Sequence, residues 1–134
     1  MIEILFRGKS IRGSEWEYGY VLISDDGKKA TIYEPQDAEF NAWCVFPHGV
    51  LPDTVGQFTG LLDKSGNKIF DGDIVRTKYG RLCEVVWFTS PEFNGLDLRP
   101  VESEHRAPDK FDLWSNLTVV GNKWDNPELL NEDV

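Results

Sequence analysis

A mainly β fold of antiparallel strands is predicted for this chain from three observations. Apolar and polar side chains alternate with the two-residue period of a strand, as in WEYGYVLI at 16–23. Glycine and proline, 12 and 7 of the 134 residues, break the chain at short intervals. No segment longer than about ten residues carries the 3.6-residue apolar period of a helix. A hydrophobic content of 40% with 17 aromatic residues supplies a real core and sets the chain apart from disordered sequences.

Taken in order, WEYGYVLI places Trp16, Tyr18, Tyr20 and Leu22 on one face and Glu17, Gly19, Val21 and Ile23 on the other. Asp25-Asp26-Gly27 then turns the chain into KATIY, a hairpin signal, because Asp-Gly reaches positive φ at little steric cost. Residues 36–43 offer a helix candidate in QDAEFNAW, and FNAWCVF at 40–46 competes as a strand closed by Pro47. PHGVLPDT (47–54), with two prolines and a glycine, reads as a loop and a subdomain boundary, dividing an interaction part (1–53) from a barrel part (54–134) within a single domain. VGQFT at 55–59 is a short strand. DIVRTKY, a turn at Gly80 and LCEVVWF form a second hairpin. LCEVVWF is apolar on both faces, as in a strand covered on both sides or one facing another subunit. SPEFNG (90–95) is a turn, LDLRPV a further strand, ESEHRAPD (102–109) a polar loop, and LTVVGN (117–122) the closing strand. A short C-terminal helix follows, with Asp125 or Asn126 as cap, Pro127 in its first turn and Glu128 favourably placed on its dipole.

The stretch TGLLDKSGNKIFDGDIV (59–75) resembles a calcium loop at first sight. Asp63, Ser65 and Asn67 hold positions 1, 3 and 5, but Lys68 stands where the bend needs glycine and Ile74 where a bidentate glutamate is needed. Two successive turns explain it better: Asp63 bonds the backbone of a turn through Gly66, and Asp71-Gly72-Asp73 redirects the chain, with Gly72 where a β-carbon would be strained. Two turns around Ile69-Phe70 resemble the bent lead-in of an SH3-like small barrel. Gly60, Asp63, Gly66, Gly72 and Asp73 are therefore turn-forming residues. Asp71 and Asp73 share a strand face but lack the evidence of a cleft that acid–base work requires.

Charge and composition bound the function. A net charge of -9 argues against direct binding to a nucleic-acid backbone. Residues 61–101 balance six acids with six bases, whereas 102–134 hold eight acids against three bases. The N-terminus lacks a signal-peptide pattern and no apolar run approaches a membrane span, so a soluble cytoplasmic protein is expected. Cys44 and Cys83 lie in apolar runs and read as buried thiols. His48 and His105 lie outside any metal-ligand spacing and read as surface residues. Phosphate-binding and nucleophile-elbow motifs are absent from the sequence. The expectation is no catalytic residue, no cofactor and no metal.

These blocks also resemble a known family. TVGQFTGLLDKSGNKIFDGDIV (54–75), FRGK (6–9), WEYGY (16–20) and VVGNKWDNPELL (119–130) are similar, in order, to the defining blocks of the YopX family, with Ser65 in place of the common Asn and Asp71 in place of the common Glu. The resemblance implies a protein encoded by bacteriophages or prophages within a host bacterial cell, a mostly β fold with a C-terminal SH3-like barrel, and self-association. It implies no activity and transfers no catalytic or ligand residue. Arg7, Gln57 and Thr59 are the polar family positions that packing explains least. With Trp16, Tyr18, Tyr20 and Trp87 they are the candidate interaction residues. The expectation is a non-enzymatic phage accessory protein acting as a homo-oligomeric interaction module, binding a host or phage protein and no membrane. The alternatives are an acidic decoy for a host nucleic-acid-binding protein, or a small metal-dependent hydrolase or nuclease gathering Asp71, Asp73 or His48.

Overall fold

In the computed structural model, residues 4–35, 45–78, 80–89, 94–101 and 116–130 are described. The candidate helix at 36–43, Trp43, Cys44, the start of the 90–95 turn and the 102–109 loop with His105 lie outside them. The protein is mainly β and antiparallel. Two compact units divide between Phe58 and Thr59.

The first unit holds β1 (Phe6–Lys9), β2 (Trp16–Ile23), β3 (Ala30–Pro35), β4 (Val45–Val50) and the start of β5 (Gly56–Leu62), in the order β4-β3-β2-β1-β5. The β2–β3 hairpin forms as its turn chemistry dictates. Gly27 has φ +72°, the Ser24 hydroxyl donates to Asp26 Oδ1 at 2.6 Å, and the Lys28 N–H donates to the same oxygen at 2.9 Å. The Ser24 bond, then the Lys28 bond, hold the Asp26 carboxyl below its usual pKa. Ala30, Ile32 and Val50 make the core, with Phe6, Val21 and Val55 packed against it. A β-carbon on Gly8 would lie 2.7 Å from Val50 Cγ2, so glycine lets the sheet curl. A bridge between Ser10 and Val50 fixes that curl.

Residues 47–54 are not the predicted loop. Pro47, His48 and Gly49 belong to β4, and a 3₁₀ turn occupies Pro52–Thr54. Strand β4 ends the sheet order, and an edge strand tolerates a proline that lacks an N–H. Thr54 Oγ1 accepts the Lys9 N–H at 2.8 Å and donates to the Leu51 carbonyl at 2.6 Å, tying the turn to β1.

In the second unit β5 continues and pairs with β6 (Lys68–Phe70). A four-stranded sheet follows: β7 (Asp73–Arg76), β8 (Leu82–Thr89), β9 (Asn94–Pro100) and β10 (Thr118–Asn122), in the order β10-β7-β8-β9. Ile69, Val75, Cys83, Val85, Leu98 and Leu117 form its core. Strand β8 lies between two neighbours, and its first four residues are buried on both faces, as its two-sided apolar pattern requires. Burial pushes the Cys83 thiol pKa up, against the opposing charge of Arg81.

The SH3-like expectation meets an open order, with β10 and β9 at the ends, and no closed barrel is found among the described residues. The C-terminal helix is likewise corrected to a single 3₁₀ turn at Pro127–Leu130. One turn is too short to repay helix nucleation. The side chain of Asn126, one of the two expected caps, is diverted as well: its Oδ1 accepts the Asn122 N–H at 3.2 Å and crowds the place a β-carbon on Gly121 would take.

Candidate functional site

The two faces of the first unit's sheet differ in chemistry. Register sets them: Arg7 pairs with Tyr18, Lys9 with Trp16, Tyr20 with Tyr33, and Leu22 with Thr31, and directly paired residues share a face. Trp16, Tyr18, Tyr20 and Leu22 therefore lie on the outer face. The Arg7 guanidinium is 4.7 Å from the centroid of the Trp16 ring, a cation–π stack, and Arg7 is buried. Along β2 the face then opens to solvent, with Tyr18 at 44%, Tyr20 at 59% and Leu22 at 64% exposure. Three alternate large side chains left open on one strand form a stripe of the kind that marks interaction surfaces.

The inner face carries Val21, Ile32 and Val50 in the core. Glu17, Glu34 and His48, from β2, β3 and β4, converge on one another, their ligand atoms all within 4.8 Å. His48 Nε2 lies 3.2 Å from Glu34 Oε2 and 3.7 Å from Glu17 Oε2. The side chains are 31%, 52% and 17% exposed for His48, Glu34 and Glu17. Gly19, on the same face of β2, brings the backbones close: a β-carbon there would stand 2.3 Å from the Tyr33 carbonyl oxygen.

The other predicted residues divide clearly. Gln57 pairs with Phe6 on the half-buried part of β5. Thr59 Oγ1 accepts the Leu61 N–H at 3.1 Å, a local backbone role. Trp87, in the second unit, is 49% exposed at the far end of β8. Asp63 is buried and saturated: Oδ1 accepts the Ser65 and Asn67 N–H groups at 2.9 and 2.8 Å, and Oδ2 accepts Asn67 Nδ2 at 3.2 Å and the Val119 N–H at 3.1 Å. A carboxylate so engaged fixes a turn and has no lone pair directed at an ion. Asp73 is buried and accepts the Phe70 N–H at 2.7 Å, which gives it a turn-holding role too. Gly60, Gly66 and Gly72 all have positive φ, at 87°, 89° and 93°.

The YopX protein profile matches residues 5–131. The chain belongs to the YopX family. Its YopX motif at 54–75 is thus the segment whose aspartates and glycines build β5, β6 and the turns that follow. Among solved structures the chain is similar to protein EF1440 from Enterococcus faecalis, with 19% identity over 98% of this chain and 100% of that chain and a TM-score of 0.58. That likeness speaks for the fold. No curated protein matches the sequence.

Sequence reasoning missed the convergence on His48. Glu34 and His48 are 14 residues apart, and Glu17 lies on a third strand, so no linear motif announces them. The register does: the β3–β4 pairing sets Ile32 opposite His48 and puts Glu34 one diagonal step away. A loop reading of 47–54 hides that register.

Proposed function

We propose that this chain is a phage- or prophage-encoded accessory protein, non-enzymatic, that works as an interaction module by pairing with a second copy of itself through the outer face of β2 and β3. The observation carrying this reading is the open row of Tyr18, Tyr20 and Leu22, next to the stack of buried Arg7 on half-buried Trp16. A two-fold interface needs a patch that complements itself. Three alternate residues on one strand meet that need: antiparallel, Tyr20 faces Tyr20 and Tyr18 faces Leu22. Light scattering over a range of concentrations is expected to show a dimer whose fraction rises with concentration. The double change Tyr20→Ser and Leu22→Ser, on exposed positions, is expected to leave the circular dichroism unchanged and the chain monomeric. A strictly monomeric wild type overturns the reading.

The eight acids against three bases after Val101 support a second reading, an acidic decoy for a host nucleic-acid-binding protein. Capture of such a protein from host lysate, lost as salt rises, would favour it.

A further inference from the structure

We propose that Glu17, Glu34 and His48 form a binding site for a zinc-class divalent cation, with one imidazole and two carboxylates as protein ligands and water completing the coordination. The geometry fits. Metal bonds of about 2.0–2.2 Å to nitrogen and oxygen, at the tetrahedral angle, set donor atoms about 3.3–3.6 Å apart. The two edges from His48 Nε2, 3.2 Å to Glu34 and 3.7 Å to Glu17, bracket that span. The third edge, between the two carboxylates, is no longer than 4.8 Å.

The electrostatics favour an ion as well. Two carboxylates meet a single imidazole, and among the described residues neither pairs with a lysine or arginine. Even a protonated ring leaves one negative charge on a cluster whose Glu17 is mostly withdrawn from solvent. A divalent cation with a neutral ring balances both carboxylates.

The backbone pre-arranges the three donors. Each comes from a separate strand of one antiparallel sheet, so their spacing is set by ladder hydrogen bonds and not by a loop. Gly8, paired with Glu17, and Gly19, two residues further on β2, place no side chain among them. Imidazole with carboxylate suits zinc and its first-row neighbours better than calcium or magnesium, which take all-oxygen shells.

The test uses the full-length protein and the metals alone. Calorimetric titration with Zn²⁺ is expected to give one site per chain, and Co²⁺ to give the visible absorption of a low-coordinate complex. His48→Gln is expected to weaken Zn²⁺ binding by about tenfold or more, and Glu17→Gln, which keeps the shape of the side chain, to do the same. Zn²⁺ is expected to raise the thermal midpoint of the wild type and not that of either variant. Absence of binding by the wild type overturns the proposal. So does a stoichiometric site that survives in a folded His48→Gln or Glu17→Gln chain, because the ion then sits elsewhere.

Discussion

Asp63 holds four hydrogen bonds on one carboxylate, three closing its own turn and the fourth reaching Val119 at the start of β10. Burial alone would push this carboxyl up, but the bonds from Val119, Asn67 and Ser65 together outweigh it and hold the pKa below its usual value. A group depressed on folding adds stability above the unfolded pKa, near 4, and loses it as pH falls through the lower folded value. Urea midpoints taken between pH 5 and pH 3 are therefore expected to fall more steeply for the wild type than for Asp63→Asn. At neutral pH Asp63→Ala, which strands several donors, is expected to cost about 2–4 kcal/mol in urea unfolding. Gly72 and Gly66 allow a matched comparison, since both have positive φ. A β-carbon on Gly66 meets open space, whereas one on Gly72 would press to 2.3 Å from the Trp124 ring. Gly66→Ala is expected to cost about 1–2 kcal/mol from backbone strain alone. Gly72→Ala adds the displacement of Trp124, for about 2–4 kcal/mol in all. Equal losses would mean that Trp124 gives way freely.

Across β8 and β9, buried Glu84 stands directly opposite Arg99, whose Nη2 lies 3.1 Å from both carboxylate oxygens while most of its side chain is exposed. Removing Arg99 leaves a buried charge without its partner. Arg99→Ala is expected to lower stability by about 1–3 kcal/mol. The same change in a Glu84→Gln background is expected to cost less, a coupling that a double-mutant cycle of urea unfolding measures. Elements of this kind explain which parts of the fold were legible beforehand. The β2–β3 hairpin announced itself through Asp-Gly and strict alternation, β8 through its two-sided apolar run, and the 59–75 segment through turn residues whose roles are local. Strand β4 was hidden because Pro47 and Gly49 signal a loop, and only its place at the end of the sheet makes them compatible with pairing. The short β1, FRGK, carries too little apolar pattern to declare itself and exists through its partners β2 and β5. The open outer face and the Glu17–Glu34–His48 cluster are consequences of register. They could be found only once strands distant in sequence were set side by side. The alternation in β2 defined two faces but could not say which was inward. The core took Val21, and the aromatic side went to solvent.

At the scale of the whole molecule, a net charge of -9 separates the two functional readings by the sign of their salt dependence. Two copies of so acidic a chain repel each other, and the repulsion opposes any apolar contact through the Tyr18–Tyr20–Leu22 row. Raising the ionic strength shortens the screening length from about 30 Å at 0.01 M to about 8 Å at 0.15 M. It weakens that repulsion and leaves apolar burial intact. The dimer fraction measured by light scattering at fixed protein concentration is therefore expected to rise between low and physiological salt, then to hold or rise further in sulfate, which strengthens burial. An acidic surface engaging a basic host protein behaves in the opposite way, because attraction between unlike charges is what screening takes away. Self-association that weakens steadily with salt would mean that charged groups hold the two copies together, and the outer face of β2 would lose its assigned role.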